Sequence, residues 1–136
     1  MDFPVEEIRK KAEKVLKAHK EVSAAYLYGS VARGQARKGS DIDIGLLLSR
    51  GYEPEPMYEA HLSLELEKAL DADTEAKVLN GGGLIFLHQV LKHGMLLFSR
   101  DEKARIDFET DTYSRYLDRK YFYDQYNRIR AERLLA

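Results

Sequence analysis

A Gly29-Ser30 pair is followed, after ten intervening residues, by the alternation Asp41-Ile42-Asp43-Ile44. Side chains along a strand point to alternate faces, so Asp41 and Asp43 share one face while Ile42 and Ile44 enter the core. Two carboxylates side by side in a central strand are costly unless something neutralises them. Hard oxygen donors suit Mg²⁺. The backbone N–H groups of a glycine turn suit the oxygens of a polyphosphate. Gly29 would let the backbone approach such a ligand closely, and Ser30 would hold its distal phosphates. Arg33, Arg37 and Lys38 are further candidates for phosphate contact on the connection between the two runs.

The elements that must position these residues can be read from periodicity. Pro4 to His19 reads as an amphipathic helix, with Glu6 and Glu7 at its positive end and Val5, Ile8, Ala12, Val15 and Leu16 as its apolar stripe. Val22 to Tyr28 reads as a strand leading into the Gly-Ser turn, and Asp41 to Leu48 as a second, buried one. After a Gly- and Pro-containing loop, Met57 to Leu70 reads as a helix with Leu62, Leu66, Ala69 and Leu70 inward. Thr74 to Leu79 is a third strand, Leu84 to Lys92 a helix stopped by Gly94, and Met95 to Phe98 a short final strand. This alternation predicts an α/β (α+β) chain, a small sheet with helices on one face.

The run Gly29-Ser30-Val31-Ala32-Arg33-Gly34 followed by Ser40-Asp41-Ile42-Asp43 resembles the signature of the DNA polymerase beta-like nucleotidyltransferases. Its resemblance is strongest to their minimal branch, the MNT or MntA-like antitoxins, and covers roughly residues 20 to 100. The resemblance implies a mixed sheet with the active site at one end of the first two strands. It also implies ATP as nucleotide donor and Mg²⁺, often as two ions. The nucleotide would be held by Gly29, Ser30, Arg33 and Ser40, and the metal by Asp41 and Asp43. Such proteins transfer AMP to a hydroxyl acceptor, typically a tyrosine of a HEPN toxin whose antitoxin they are. They complete the metal site with a third acid on a strand ending in Leu-Asn. Counting back from Leu79-Asn80 assigns Glu75, where the family usually has aspartate; Asp73 has the same strand parity and is the competitor. Two other functions compete with this one: an antitoxin acting by contact alone, and an aminoglycoside-type small-molecule nucleotidyltransferase.

Composition narrows the alternatives. At 136 residues the chain is expected to be one domain, with a catalytic core at about 20–100 and a helical tail at about 101–136. A formal net charge of −1 gives no field for general nucleic-acid binding. There is no cysteine, and hence no disulfide or thiolate site. The first residues lack the basic start and apolar run of a signal peptide, which makes the cytoplasm the expected location. Asn80 reads as a turn or cap residue with nucleotide contact as the alternative, and Gly81-Gly82-Gly83 as a linkage. His19, His61, His88 and His93 have no metal-like spacing and read as surface or satisfied histidines. In the tail, Tyr113, Tyr116, Tyr121, Phe122, Tyr123 and Tyr126 are interleaved with arginine and lysine. That mixture suits packing on the sheet, a protein partner, or stacking on single-stranded nucleic acid.

Overall fold

The computed structural model describes residues 4–36 and 40–135. Four strands form one mixed sheet in the order β3-β2-β1-β4. β1 (Val22–Tyr28) pairs antiparallel with β2 (Ile42–Leu48) and with β4 (Met95–Ser99), while β3 (Thr74–Val78) runs parallel to β2. The parallel pair needs a crossover, and α3 (Tyr58–Leu70) supplies it.

Helices cover both faces of the sheet rather than one. The reason lies in the central strands: residues 22–27 of β1 and 44–48 of β2 are all buried, so each strand needs cover on both sides. On one face, Ile8, Ala12 and Leu16 of α1 (Val5–Lys17) and Leu62, Leu66 and Leu70 of α3 pack on Leu27, Ile42, Ile44 and Leu46. On the other, Leu87 and Val90 of α4 (Leu84–His93) and Phe108 of α5 (Glu102–Leu135) join Ala24, Tyr26, Leu47 and Leu79.

Local chemistry ends α1 and the helix before β4. Arg100 donates from its guanidinium to the carbonyls of Leu16, Lys17 and His19, placing a cation at the negative end of α1. Gly94 stops α4 in an extended conformation, not a left-handed one. Its missing side chain matters for closeness: a Cβ there would stand 2.8 Å from the Leu27 carbonyl.

The outer edge of β3 is closed by side chains of α3. The N–H groups of Thr74, Ala76 and Val78 donate to Glu67, Ser63 and Glu59 at 3.2, 2.8 and 2.7 Å. Alternate strand residues point their N–H groups outward, and residues four apart line one helix face, so the two periods meet. At the far end of β2, Asn80 accepts from the Leu48 N–H at 2.8 Å and donates to the Leu48 carbonyl at 2.9 Å. Asn80 therefore extends the sheet like a piece of backbone.

Candidate active site

The first strand runs directly into a four-residue helix, α2 (Gly29–Ala32). Gly29 makes the bend with φ +77, a left-handed conformation that a side chain resists. A Cβ on it would lie 3.2 Å from Cγ of Asp43, and nearer still to Oδ2. The carboxylate of Asp43 thus rests on the Gly-Ser turn. Ser30 is half-buried in the same turn, where N–H groups that begin a helix have no carbonyl partner within it.

Asp43 lies between two neighbours across the sheet. Tyr28 is its partner on β1 and Glu75 its partner on β3. The parallel register also pairs Gly45 with Lys77, so Glu75 and Lys77 succeed each other along the same face of the edge strand. That face is open above β2 and β3: Glu75 and Lys77 are exposed and Asp43 is half-buried. Burial, then the charge of Glu75, then that of Asp41 push the Asp43 carboxyl up to about 6. Burial and the charges of Asp43 and Glu75 push the Tyr28 phenol up to about 12. Among the described residues, the charges that act on Asp43 are thus those of two other acids, Glu75 and Asp41.

Asp41 sits one residue ahead of β2 and is exposed; the strand begins at Ile42. Its alternation with Asp43 holds in sequence, and its charge reaches Asp43, but it lies outside the strand pairing. Asp73 is likewise just outside β3, where its carbonyl accepts from the Ile42 N–H at 2.9 Å. Its charge is not among those that raise Asp43, whereas that of Glu75 is. Ser40 is half-buried next to Asp41. Arg33 closes α2, its N–H donating to the Gly29 carbonyl at 3.2 Å, and is exposed. Arg37 and Lys38 lie outside the described residues. Among the described residues, no three His, Cys, Asp or Glu are drawn together closely enough to hold a metal ion by themselves.

Sequence reasoning missed the aromatic wall of this site. Phe86 of α4 stands edge-on to Tyr28 with ring centroids 5.5 Å apart, and Lys77 Nζ lies 5.1 Å from the Phe86 ring centre. Lys77 was findable from its parity with Glu75. Nothing in the local sequence marks Phe86. The histidines divide: His19 pairs with Glu65 at 2.6 Å and His61 with Glu55 at 2.7 Å, but His88 is buried with Nδ1 unpartnered.

A mixed sheet whose first strand bends through Gly-Ser onto an aspartate of the second is the frame of a nucleotidyltransferase. Residues 10–103 match the family described as Polymerase beta, Nucleotidyltransferase, and the chain belongs to that family. A curated relative, Protein adenylyltransferase MntA of Shewanella oneidensis, is 30% identical over 91 residues. That alignment takes in 67% of this chain and 63% of the relative, so the chain spans somewhat less than two thirds of the relative's length. A crystal structure of a toxin–antitoxin with AMP-PNP is 25% identical with a TM-score of 0.69, covering 86% of this chain and 96% of that one. A mutant of the MntA–HpeT toxin–antitoxin is 26% identical with a TM-score of 0.66, covering 85% and 94%. Within the family, the chain's likeness is to the minimal nucleotidyltransferases. No helix among the described residues is long and apolar enough to cross a membrane.

Proposed function

We propose that this chain is an ATP-dependent nucleotidyltransferase that moves AMP onto a hydroxyl acceptor. We further propose that the acceptor is a tyrosine of a cognate HEPN toxin, which makes the chain its antitoxin. The observation that carries this reading is the seating of the Asp43 carboxylate on the Gly29-Ser30 turn, with Glu75 in register beside it. The relative named an adenylyltransferase and the toxin–antitoxin structure with AMP-PNP support the donor and the partner. Use of ATP fits a cytoplasmic location.

The donor set fits Mg²⁺. It is made of carboxylate oxygens only, and the upward push on the Asp43 carboxyl, from burial first and then from the charges of Glu75 and Asp41, supports a cation there. Asp41, Asp43 and Glu75 would hold the ion, with the rest of its shell from phosphate oxygens and water, as Mg²⁺ commonly prefers. When bound, it supplies positive charge where negative charge gathers on the transferred phosphoryl group. The protein's own residues do the remaining work. The Gly29-Ser30 turn holds the β- and γ-phosphates, with Arg33 and Ser40 at its margins. Glu75 takes the proton of the acceptor hydroxyl as its oxygen bonds to the α-phosphorus, and pyrophosphate leaves.

The test is transfer of label from ATP carrying ³²P at the α-phosphate to the purified toxin, with aminoglycosides as a second acceptor set. Label on a toxin tyrosine, lost with Asp43→Asn, supports the proposal. Toxin neutralised without label would mean action by contact alone. Label on aminoglycosides and none on the toxin would move the enzyme to small-molecule substrates.

A further inference from the structure

α5 extends well beyond the sheet it packs on. Its 34 residues span about 51 Å at the α-helical rise. Only Thr112 is fully buried, and from residue 117 to 135 every side chain but that of Gln125 is exposed. The projecting half carries Phe122, Tyr126 and Ile129, at 68%, 55% and 48% exposure, in one stripe with Arg133. So long an apolar stripe left in water marks an interaction surface.

The same helix face, followed back by steps of three and four residues, passes Asp118, Arg115, Asp111, Phe108 and Ala104. There it forms one wall of a groove of about 670 Å³, whose opposite wall is built by Leu47, Leu48, Arg50, Gly51 and Asn80. This groove lies beyond Leu47, at the other end of β2 from Asp43. Asp101, Asp107 and Asp111 line it together with the apolar side chains of Leu47 and Phe108.

We propose that this groove receives the projecting half of α5 from a second copy of the chain, giving a two-fold antiparallel dimer. The charges of the two halves are complementary. Residues 101–116 contain five acids and three bases, and residues 117–135 five bases and three acids. Antiparallel pairing about a two-fold axis near Asp118 sets Arg130 opposite Asp107, Tyr126 opposite Asp111 and Ile129 opposite Phe108. The contact is isologous, so each arm fills the other copy's groove and no sticky end remains. The pairs that Asp107 makes with Lys103 at 2.9 Å and Asp111 with Arg115 at 3.6 Å are largely solvent-exposed. Such pairs are weak and leave Asp107 able to meet the incoming Arg130 and Asp111 the hydroxyl of Tyr126. The proposal is independent of the catalytic reading, since none of these residues belongs to the site around Asp43.

Sedimentation equilibrium of the full chain tests it. A dimer is expected. Arg130→Glu with Arg133→Glu, and separately Asp107→Arg with Asp111→Arg, should each raise its dissociation constant roughly tenfold or more. Mixing the two variants should restore a dimer, because the reversed arm then faces the reversed groove and the native arm the native groove. Asp118→Cys, in a chain with no cysteine of its own, should give a disulfide-linked dimer under mild oxidation. All of these positions are exposed, and circular dichroism verifies the fold of each variant. A monomer at every concentration would overturn the proposal. So would a dimer indifferent to both charge reversals, or an arm shielded from protease only when a toxin protein is added.

Discussion

Asp43 and Gly29 are packed so closely that residue 29 has no room for a side chain: Cγ of the aspartate lies 3.2 Å from where a Cβ would be. Gly29→Ala must therefore move the carboxylate as well as strain a backbone held at φ +77. The strain is expected to cost about 1–2 kcal/mol of stability. The displaced aspartate is expected to lower transfer about 100-fold. Chemical denaturation and the labelled-ATP assay measure the two effects separately. Full activity in Gly29→Ala would contradict the site.

Asp43 in the metal-free protein is raised from 3.8 to about 6 by burial and by the charges of Glu75 and Asp41. A group raised in the folded state contributes stability that is complete below its unfolded pKa and lost as pH climbs through the folded one. The window is therefore pH 3.8 to about 6. The unscreened shift would correspond to about 3 kcal/mol. For a half-buried carboxylate, solvent reduces this to about 1 kcal/mol. Asp43→Asn should be more stable than wild type by that amount at neutral pH without Mg²⁺, with the gap closing towards pH 4. Urea melts across this range check it, and a gap that widened on acidification would be the wrong sign.

Glu75 and Asp73 can be told apart by substitution. Glu75→Gln keeps the shape and removes the charge in register with Asp43, and should reduce transfer by about 100-fold or more. Asp73→Asn leaves that register untouched and should change transfer less than about threefold. The reverse ranking would transfer the third-carboxylate role to Asp73.

His88 predicts an acid-sensitive seam between α4 and α5. Its ring is buried, stacked on Tyr116 at 3.5 Å and edge-on to Tyr113, with Nδ1 unpartnered. Burial, followed by Lys92 and His93, lowers its pKa. A lowered histidine stabilises the fold above its unfolded pKa of 6.5, and this contribution is lost as pH falls. His88→Phe should therefore lose less melting temperature than wild type between pH 7 and pH 5. Parallel losses in the two proteins would show that His88 does not titrate with folding.

Tyr26 fastens the long helix to the sheet. Its hydroxyl donates to Glu109 Oε2 at 2.7 Å, and Arg105 donates to the same carboxylate oxygen. Tyr26→Phe should cost about 1–2 kcal/mol and raise amide exchange in the first turns of α5. Exchange unaltered in α5 would mean that Phe108 packing alone holds the helix.

The elements were legible because their periods are clean. Ile8, Ala12 and Leu16 on α1 and the buried alternation of Ile42 and Ile44 follow directly from residue spacing. The Gly29–Asp43 contact was half legible: residue types and spacing placed both at a turn beside a strand, but only the fold shows one resting on the other. That the helices divide between both faces went unread because an all-apolar strand such as β1 does not say what covers each face. Tyr28, Lys77 and Phe86 converge from three elements, and no local pattern announces such a meeting. Asn80 does sit in a turn, but its bonds to Leu48 went unread for the same reason, as did the burial of His88 against Tyr116: these partners are distant in sequence.

The side chains of α3 along β3 decide how this protein can meet others. An edge strand ordinarily offers a ladder of free donors onto which another chain can zip as an extra strand. Here Glu59, Ser63 and Glu67 have already taken those donors, and two of the three are carboxylates that would repel a carbonyl arriving in their place. Partners are thereby steered away from this border by the same helix that closes the crossover. Recognition is left to surfaces that side chains define, where shape and charge can discriminate, and the sheet is guarded against growing into a fibril from that side.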